Sequence, residues 1–150
     1  MTRSLFVVQA GPLTTVQDGG RWGFQRFGVP VAGAMDRTAL AIANRLVGNP
    51  PDTAGIEIAV TGARFRSGGR NIAVAVAGAA NLTVDGLPLG NWRSFVLQRG
   101  QTASVAPDRH GMFGYLAVAG GIDLPRVFGS LSTHLRSGLG PFEGRALQTG

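Results

Sequence analysis

The chain contains no cysteine and no lysine, and each absence removes whole classes of chemistry. Without cysteine there is no disulfide framework, thiolate zinc site, iron–sulfur cluster or thiol nucleophile. All 14 basic residues are arginine. That excludes a GxxxxGK phosphate loop, a Schiff-base lysine and a biotinyl lysine on this chain. Two histidines, His110 and His134, are the whole imidazole complement, and no metal site is expected. Charged residues amount to 15%, below the usual level of about 25%. No apolar run approaches the ~18 residues of a membrane span. The short run Leu5–Val8 is interrupted by Gln9 and closed by Gly11-Pro12, too soon for a signal sequence. The expectation is a cytoplasmic protein with no membrane partner.

What is present describes a folded, turn-rich domain. Of 150 residues, 44% are hydrophobic, 24 are glycine and 8 are proline, a length that suits one domain of about 100–200 residues. The net charge of +6 comes from scattered arginines, of which Arg64, Arg66 and Arg70 form the densest group. Arginine without lysine in an Ala/Gly-rich chain reflects coding bias more simply than phosphate binding, so no nucleic-acid partner is expected.

Short strands at roughly ten-residue spacing dominate the pattern. Leu5–Ala10 is an apolar run, Gly55–Val60 and Ala63–Arg66 alternate with period two, and Asn71–Ala77 is apolar throughout, as a strand covered on both faces would be. Asn81–Val84, the turn Asp85-Gly86 and Leu87–Leu89 predict a type I′ hairpin, because Asp-Gly tolerates two consecutive positive φ angles. Trp92–Gln98, Gln101–Ala106 and Phe113–Ala119 complete a sandwich or barrel. One helix is expected at about 36–47, with Asp36 as N-cap and Ala39, Ile42, Ala43 and Leu46 on its buried face. Gly48 and Pro50-Pro51 end it. Trp22, Phe24, Phe27, Trp92 and Phe95 are expected in the core and its rim rather than as a base-stacking platform. Residues 122–150 read as loop, either functional or awaiting a partner segment.

Three constellations could carry chemistry. In Gly11–Arg21 (GPLTTVQDGGR), two hydroxyls, Gln17, Asp18 and Arg21 gather beside a Gly-Gly turn. A guanidinium held by an acid suits a carboxylate or phosphate; the structural alternative is Asp18 capping turn amides while Arg21 lies on the surface. In Gly28–Asp36, the aspartate occupies the helix N-terminus and would repel an anion, so a capped helix start is the better reading. In Gly129–Gly140, Ser130, Ser132, Thr133, His134 and Arg136 stand among flexible glycines. That segment reads either as an anion- or carbonyl-binding loop or as a Ser/Thr-rich surface loop. Gly138–Gly144 misses the GxGxxG spacing by one residue and lacks a βαβ setting.

The stretches GPLTTVQDGGRWGFQRFGVPVAGAMD, ANRLVGNPPDTAGIE and GYLAVAGGIDLPRVFGSLSTHLR, in this order and spacing, resemble the allophanate hydrolase subunit 2 family. That family includes the C-type subunit of the bacterial ATP-dependent 5-oxoprolinase, the A/B part of the carboxyltransferase domain of biotin-dependent urea carboxylase, and an antagonist of a sporulation kinase inhibitor. The resemblance implies a mainly β, cyclophilin-like barrel over about 1–120. It implies that 121–150 leads toward a second barrel, so that 1–150 is a single carboxyltransferase A/B-like domain forming an N-terminal half. It also implies partners of the B type and the A type within one complex, a small-molecule substrate, and ATP with Mg²⁺ at the level of that complex. Biotin belongs only to the urea carboxylase alternative and would sit on another chain or domain. Catalytic roles would fall to Asp18, Arg21 and Arg136, with Asp18 orienting Arg21, and substrate binding to Gln17, Ser130, Ser132 and Thr133. The family loop commonly reads GSRSTY-x-RGG-x-GG; here Leu131, His134, Ser137 and Pro141 depart from it.

Overall fold

The structure, a computed structural model, describes residues 3–150. Ten strands follow one another: β1 Ser4–Gln9, β2 Thr15–Gln17, β3 Gly55–Ala59, β4 Ala63–Gly68, β5 Ile72–Gly78, β6 Ala80–Val84, β7 Leu87–Gly90, β8 Arg93–Leu97, β9 Thr102–Pro107 and β10 Phe113–Val118. Helix α1, Arg37–Leu46, separates β2 from β3. A second helical element, α2 at Pro141–Gly144, is a single turn in which Phe142 and Glu143 adopt φ of 52° and 60°.

The strands form two five-stranded antiparallel sheets, ordered β1-β4-β9-β6-β7 and β2-β3-β10-β5-β8. Their inner faces meet in a core that includes Phe65, Leu82 and Val105 from the first sheet and Ile58, Val76 and Leu116 from the second. This is two layers rather than the expected closed barrel, because among the described residues no ladder joins the sheet edges. The C-terminal segment covers those edges instead. Val7 of β1 exchanges backbone hydrogen bonds with Gly150 (3.1 and 3.0 Å), and Thr133 donates its N–H to Val16 of β2 (3.0 Å).

The alternation of strand β5 shows why its sequence is apolar throughout. Val74 and Val76 enter the core between the sheets, while Ala77 lies under α1 with Tyr115 and Ala117. The β6–β7 hairpin turns at Asp85 (φ 48°) and Gly86 (φ 83°), as Asp-Gly demands. In α1, Asp36 accepts the Ala39 N–H at 2.9 Å, the expected cap. The helix is rolled relative to the expected stripe: Ala39, Leu40, Ala43 and Asn44 are buried, whereas Ile42 and Leu46 are exposed. The floor beneath it is built of alanines and one tyrosine, which admits Leu40 and leaves Ile42 outside. Trp22, Phe27 and Trp92 are also exposed rather than in the core. Among the described residues no helix is long and apolar enough to cross a membrane.

Candidate functional site

Asp18 and Arg21 follow β2 directly and are almost completely buried. Among the described residues no hydrogen bond joins Asp18 to Arg21. Asp18 Oδ1 accepts hydrogen bonds from the Ser130 hydroxyl (2.7 Å), the Ser132 hydroxyl and the Gly20 N–H (2.9 Å), and its Oδ2 from the Leu131 N–H (2.7 Å). Burial alone would push this carboxyl up. The bonds from Ser132, Leu131, Ser130 and Gly20 outweigh it and hold the pKa below the usual 3.8. Exposed Arg126 lies 3.8 Å from Oδ2, a contact of little weight at that exposure.

Arg21 runs inward. Its Nε donates to the Val127 carbonyl and its Nη2 to the Ser132 carbonyl, both at 2.8 Å. Burial lowers its pKa, and the Asp18 charge partly restores it. A side chain 1% exposed presents no fork to a ligand. Asp18 and Arg21 therefore clamp the 127–133 segment from two sides, and Ser130 and Ser132 are bound up in the same clamp. In this structure all four residues are engaged in the framework where β2 and the glycine-rich loop close over each other.

The segment emerges from this clamp toward a cavity of about 310 Å³. Thr133 is buried at its edge, and the chain then makes a tight hairpin in which the His134 N–H bonds the Leu139 carbonyl (2.8 Å). A 3-10 turn at Leu135–Ser137 carries Arg136 at the tip, exposed and lining the cavity. His134 Nδ1 and the Ser137 hydroxyl, 2.7 Å apart, pin that turn. Gly140 closes it at φ 132°, where a Cβ would lie 2.6 Å from the Ser132 carbonyl oxygen. So Gln17, Thr133 and Arg136 reach one open space, while Asp18, Arg21, Ser130 and Ser132 lie behind it.

The wall beside Gln17 continues with residues, Glu57 and Tyr115, that the sequence did not mark as part of a site. Thr15 pairs with Glu57 across β2–β3, and Glu57 with Tyr115 across β3–β10. Side chains alternate along a strand, so Thr15, Gln17, Glu57 and Tyr115 share the outer face of the second sheet, beyond the end of α1. Glu57 Oε2 accepts from the Tyr115 hydroxyl (2.7 Å) and the Met35 N–H (2.8 Å). Burial pushes the Glu57 carboxyl above 4.5, against the lowering effect of those two bonds. The Tyr115 phenol is held well above its ordinary range, first by burial. A lone glutamate within an otherwise apolar strand was the available signal, and nothing in GIEIA shows what it would face.

One polar atom in this wall is unsatisfied. Gln17 Nε2 donates to the Thr133 carbonyl (2.9 Å) and Thr15 Oγ1 (3.0 Å). A carbonyl only accepts, so the orientation of the amide is fixed and Oε1 remains buried without a partner. An acceptor left so costs about 1–3 kcal/mol.

Comparison with known proteins identifies the scaffold. The profile of the carboxyltransferase domain, subdomain A and B, matches residues 27–150. The 5-oxoprolinase C subunit of Escherichia coli (strain K12) is 43% identical over 148 residues, 97% of this chain. The urea amidolyase of Saccharomyces cerevisiae is 36% identical over 141 residues, 93% of this chain. The chain spans 47% of the first relative and 8% of the second, about half of one and a small part of the other. The crystal structure of the K. lactis urea amidolyase superposes with a TM-score of 0.91 at 34% identity, covering 97% of this chain and 9% of that one.

Proposed function

The chain belongs to the family of carboxyltransferase domains, subdomains A and B, and from that premise we propose that it is a subunit of an ATP-dependent 5-oxoprolinase. With A- and B-type subunits it opens the lactam of 5-oxoproline to L-glutamate. The observation that carries the choice of reaction is the 43% identity to a 5-oxoprolinase C subunit over nearly the whole chain, against 36% to a urea amidolyase. The cavity is compatible with it: Arg136 supplies an open cation for the substrate carboxylate, and the Thr133 region lines the wall beside it.

ATP with Mg²⁺ does not fit the residues of this chain. There is no lysine, and so no GxxxxGK phosphate loop. Among the described residues no group of three His, Asp or Glu side chains could hold the ion. Nucleotide and metal would have to be held elsewhere in the complex, and the role left to this chain is to bind and orient the acid end of the substrate.

A second reading, the carboxyltransferase part of a urea carboxylase, draws on the TM-score of 0.91 with the urea amidolyase. Biotin would then arrive on another chain or domain, since no lysine here can carry it. The test is co-expression with A- and B-type subunits and measurement of 5-oxoproline-dependent ATP hydrolysis. We expect turnover from the assembled complex, falling about tenfold or more in Arg136→Ala with assembly unchanged. Urea-dependent turnover with a biotin carboxylase partner would replace this reading by the second. A stable complex without turnover on either substrate would replace both by a non-enzymatic role, such as binding a kinase inhibitor.

A further inference from the structure

The cavity holds more recognition chemistry than a carboxylate requires. Its wall contains a buried acceptor without a donor, Gln17 Oε1, whose orientation is fixed by the Thr133 carbonyl. On the neighbouring strand the Glu57 carboxyl also faces the cavity. Both internal hydrogen bonds to Glu57 end on Oε2, from Met35 and Tyr115, which leaves Oε1 for the open space. The β2–β3 register, with Thr15 opposite Glu57 and Gln17 opposite Gly55, sets these two groups as diagonal neighbours on one face of the sheet. Arg136 lines the same cavity from the turn of its hairpin. At about 310 Å³ the space is at the small end of ligand pockets.

An acceptor beside a carboxyl oxygen is the complement of a cis-amide edge, in which an N–H and a C=O point the same way. We propose that this cavity binds a small cyclic amide carrying a carboxylate, with Gln17 Oε1 accepting the amide N–H, the Glu57 carboxyl donating to the amide oxygen, and Arg136 pairing with the carboxylate. Burial favours the protonated, donating form of Glu57. The groups that face it are Thr15 and Gln17 on β2, Tyr115 on β10, the Met35 N–H before α1, and Arg136 and His134 on the hairpin. Of these only Arg136 carries a permanent charge. The inference rests on the 5-oxoprolinase reading for the identity of the amide, and it makes Gln17 and Glu57 substrate-binding residues. Glu57 is outside the set that the sequence pattern singled out.

Calorimetric titration of the assembled complex, without nucleotide, tests it with four probes. They are 5-oxoproline, its N-methyl derivative, the lactone acid of the same shape, and 2-pyrrolidone. Removing the N–H (N-methyl derivative and lactone) or the carboxylate (2-pyrrolidone) is expected to weaken binding about tenfold or more. Arg136→Ala should weaken 5-oxoproline similarly and leave 2-pyrrolidone unchanged. Glu57→Gln keeps a donor on the cavity side and should retain binding, whereas Glu57→Ala should lose it. Gln17→Leu should erase the preference for 5-oxoproline over the lactone acid. Equal affinity for 5-oxoproline and its N-methyl derivative overturns the proposal, and so does binding that ignores both Gln17→Leu and Glu57→Ala. ATP hydrolysis that depends on 5-oxoproline yet ignores both substitutions leaves the 5-oxoprolinase reading standing and removes this cavity from it. Amide binding with the expected Gln17 and Glu57 dependence, in a complex that turns over no 5-oxoproline, does the reverse.

Discussion

Two buried carboxyls, one just after β2 and one on β3, have opposite electrostatic fates, and the hydrogen bonds around them decide which. Asp18 receives bonds on both oxygens from two hydroxyls and two backbone N–H groups, enough to overcome its burial. Its stabilising contribution is present above the unfolded pKa of about 3.8 and is lost as pH falls through the lower folded value. Glu57 receives two bonds on one oxygen, and burial wins. Its folded pKa lies above 4.5, so the unfolded chain releases the proton first and stability falls as pH rises from about 4.5 toward the folded value. Glu57→Gln removes that loss. The variant should melt above the parent at pH 7, with the difference shrinking toward zero near pH 4, as read by thermal denaturation across that range. A protein that keeps a destabilising carboxyl in a cavity wall is consistent with a binding role for it.

At the scale of elements, the segment leading into α1, through Ala32, Gly33 and Met35, and the start of the 134–139 hairpin both line the cavity. The helix is short, and its start depends on the Asp36 carboxylate bonding the Ala39 N–H. Asp36→Ala should destabilise the protein by about 1 kcal/mol in chemical denaturation. The Asp36 N–H is also held by the Tyr115 hydroxyl (2.7 Å), so the helix start is tied to the same tyrosine that bonds Glu57. The hairpin depends on Gly140, whose φ of 132° and close approach to Ser132 leave no space for a side chain. Gly140→Ala should displace Arg136 and also disturb the clamp, because the added Cβ meets the Ser132 carbonyl that Arg21 bonds, so substrate binding and the melting temperature should fall together.

At the scale of the molecule, the segment after β10 is part of the fold although it has almost no regular structure. It supplies both carbonyls that Arg21 bonds, both hydroxyls that Asp18 bonds, the Leu147 side chain packed on the core and the Gly150 pair on β1. Deleting residues 127–150 would leave a buried carboxylate and a buried guanidinium without those partners, a loss in the range of several kcal/mol. The expected outcome is loss of cooperative unfolding, measured by near-ultraviolet circular dichroism during a denaturant titration. A truncated chain that still unfolds in one sharp transition would contradict this account.

The ladder of strands was written in the chain itself. Period-two alternation, the apolar run of β5 and the Asp85-Gly86 turn are local signals, and each strand from β3 to β10 lies within a residue or two of where they place it. The start of α1 was legible in the same way, since an N-cap acts within one turn. Strand β2 escaped because three residues, Thr15–Gln17, carry no periodicity. Long-range packing, by contrast, turned Asp18 and Arg21 inward, since their partners lie more than 100 residues away in the chain. It also left the sheets open, and it brought Gln17, Glu57 and Arg136, from three separate stretches, to one cavity. Local patterning sets which face of a strand is polar. What that face meets depends on how strands pair across long loops, and no short-range preference in the chain encodes it.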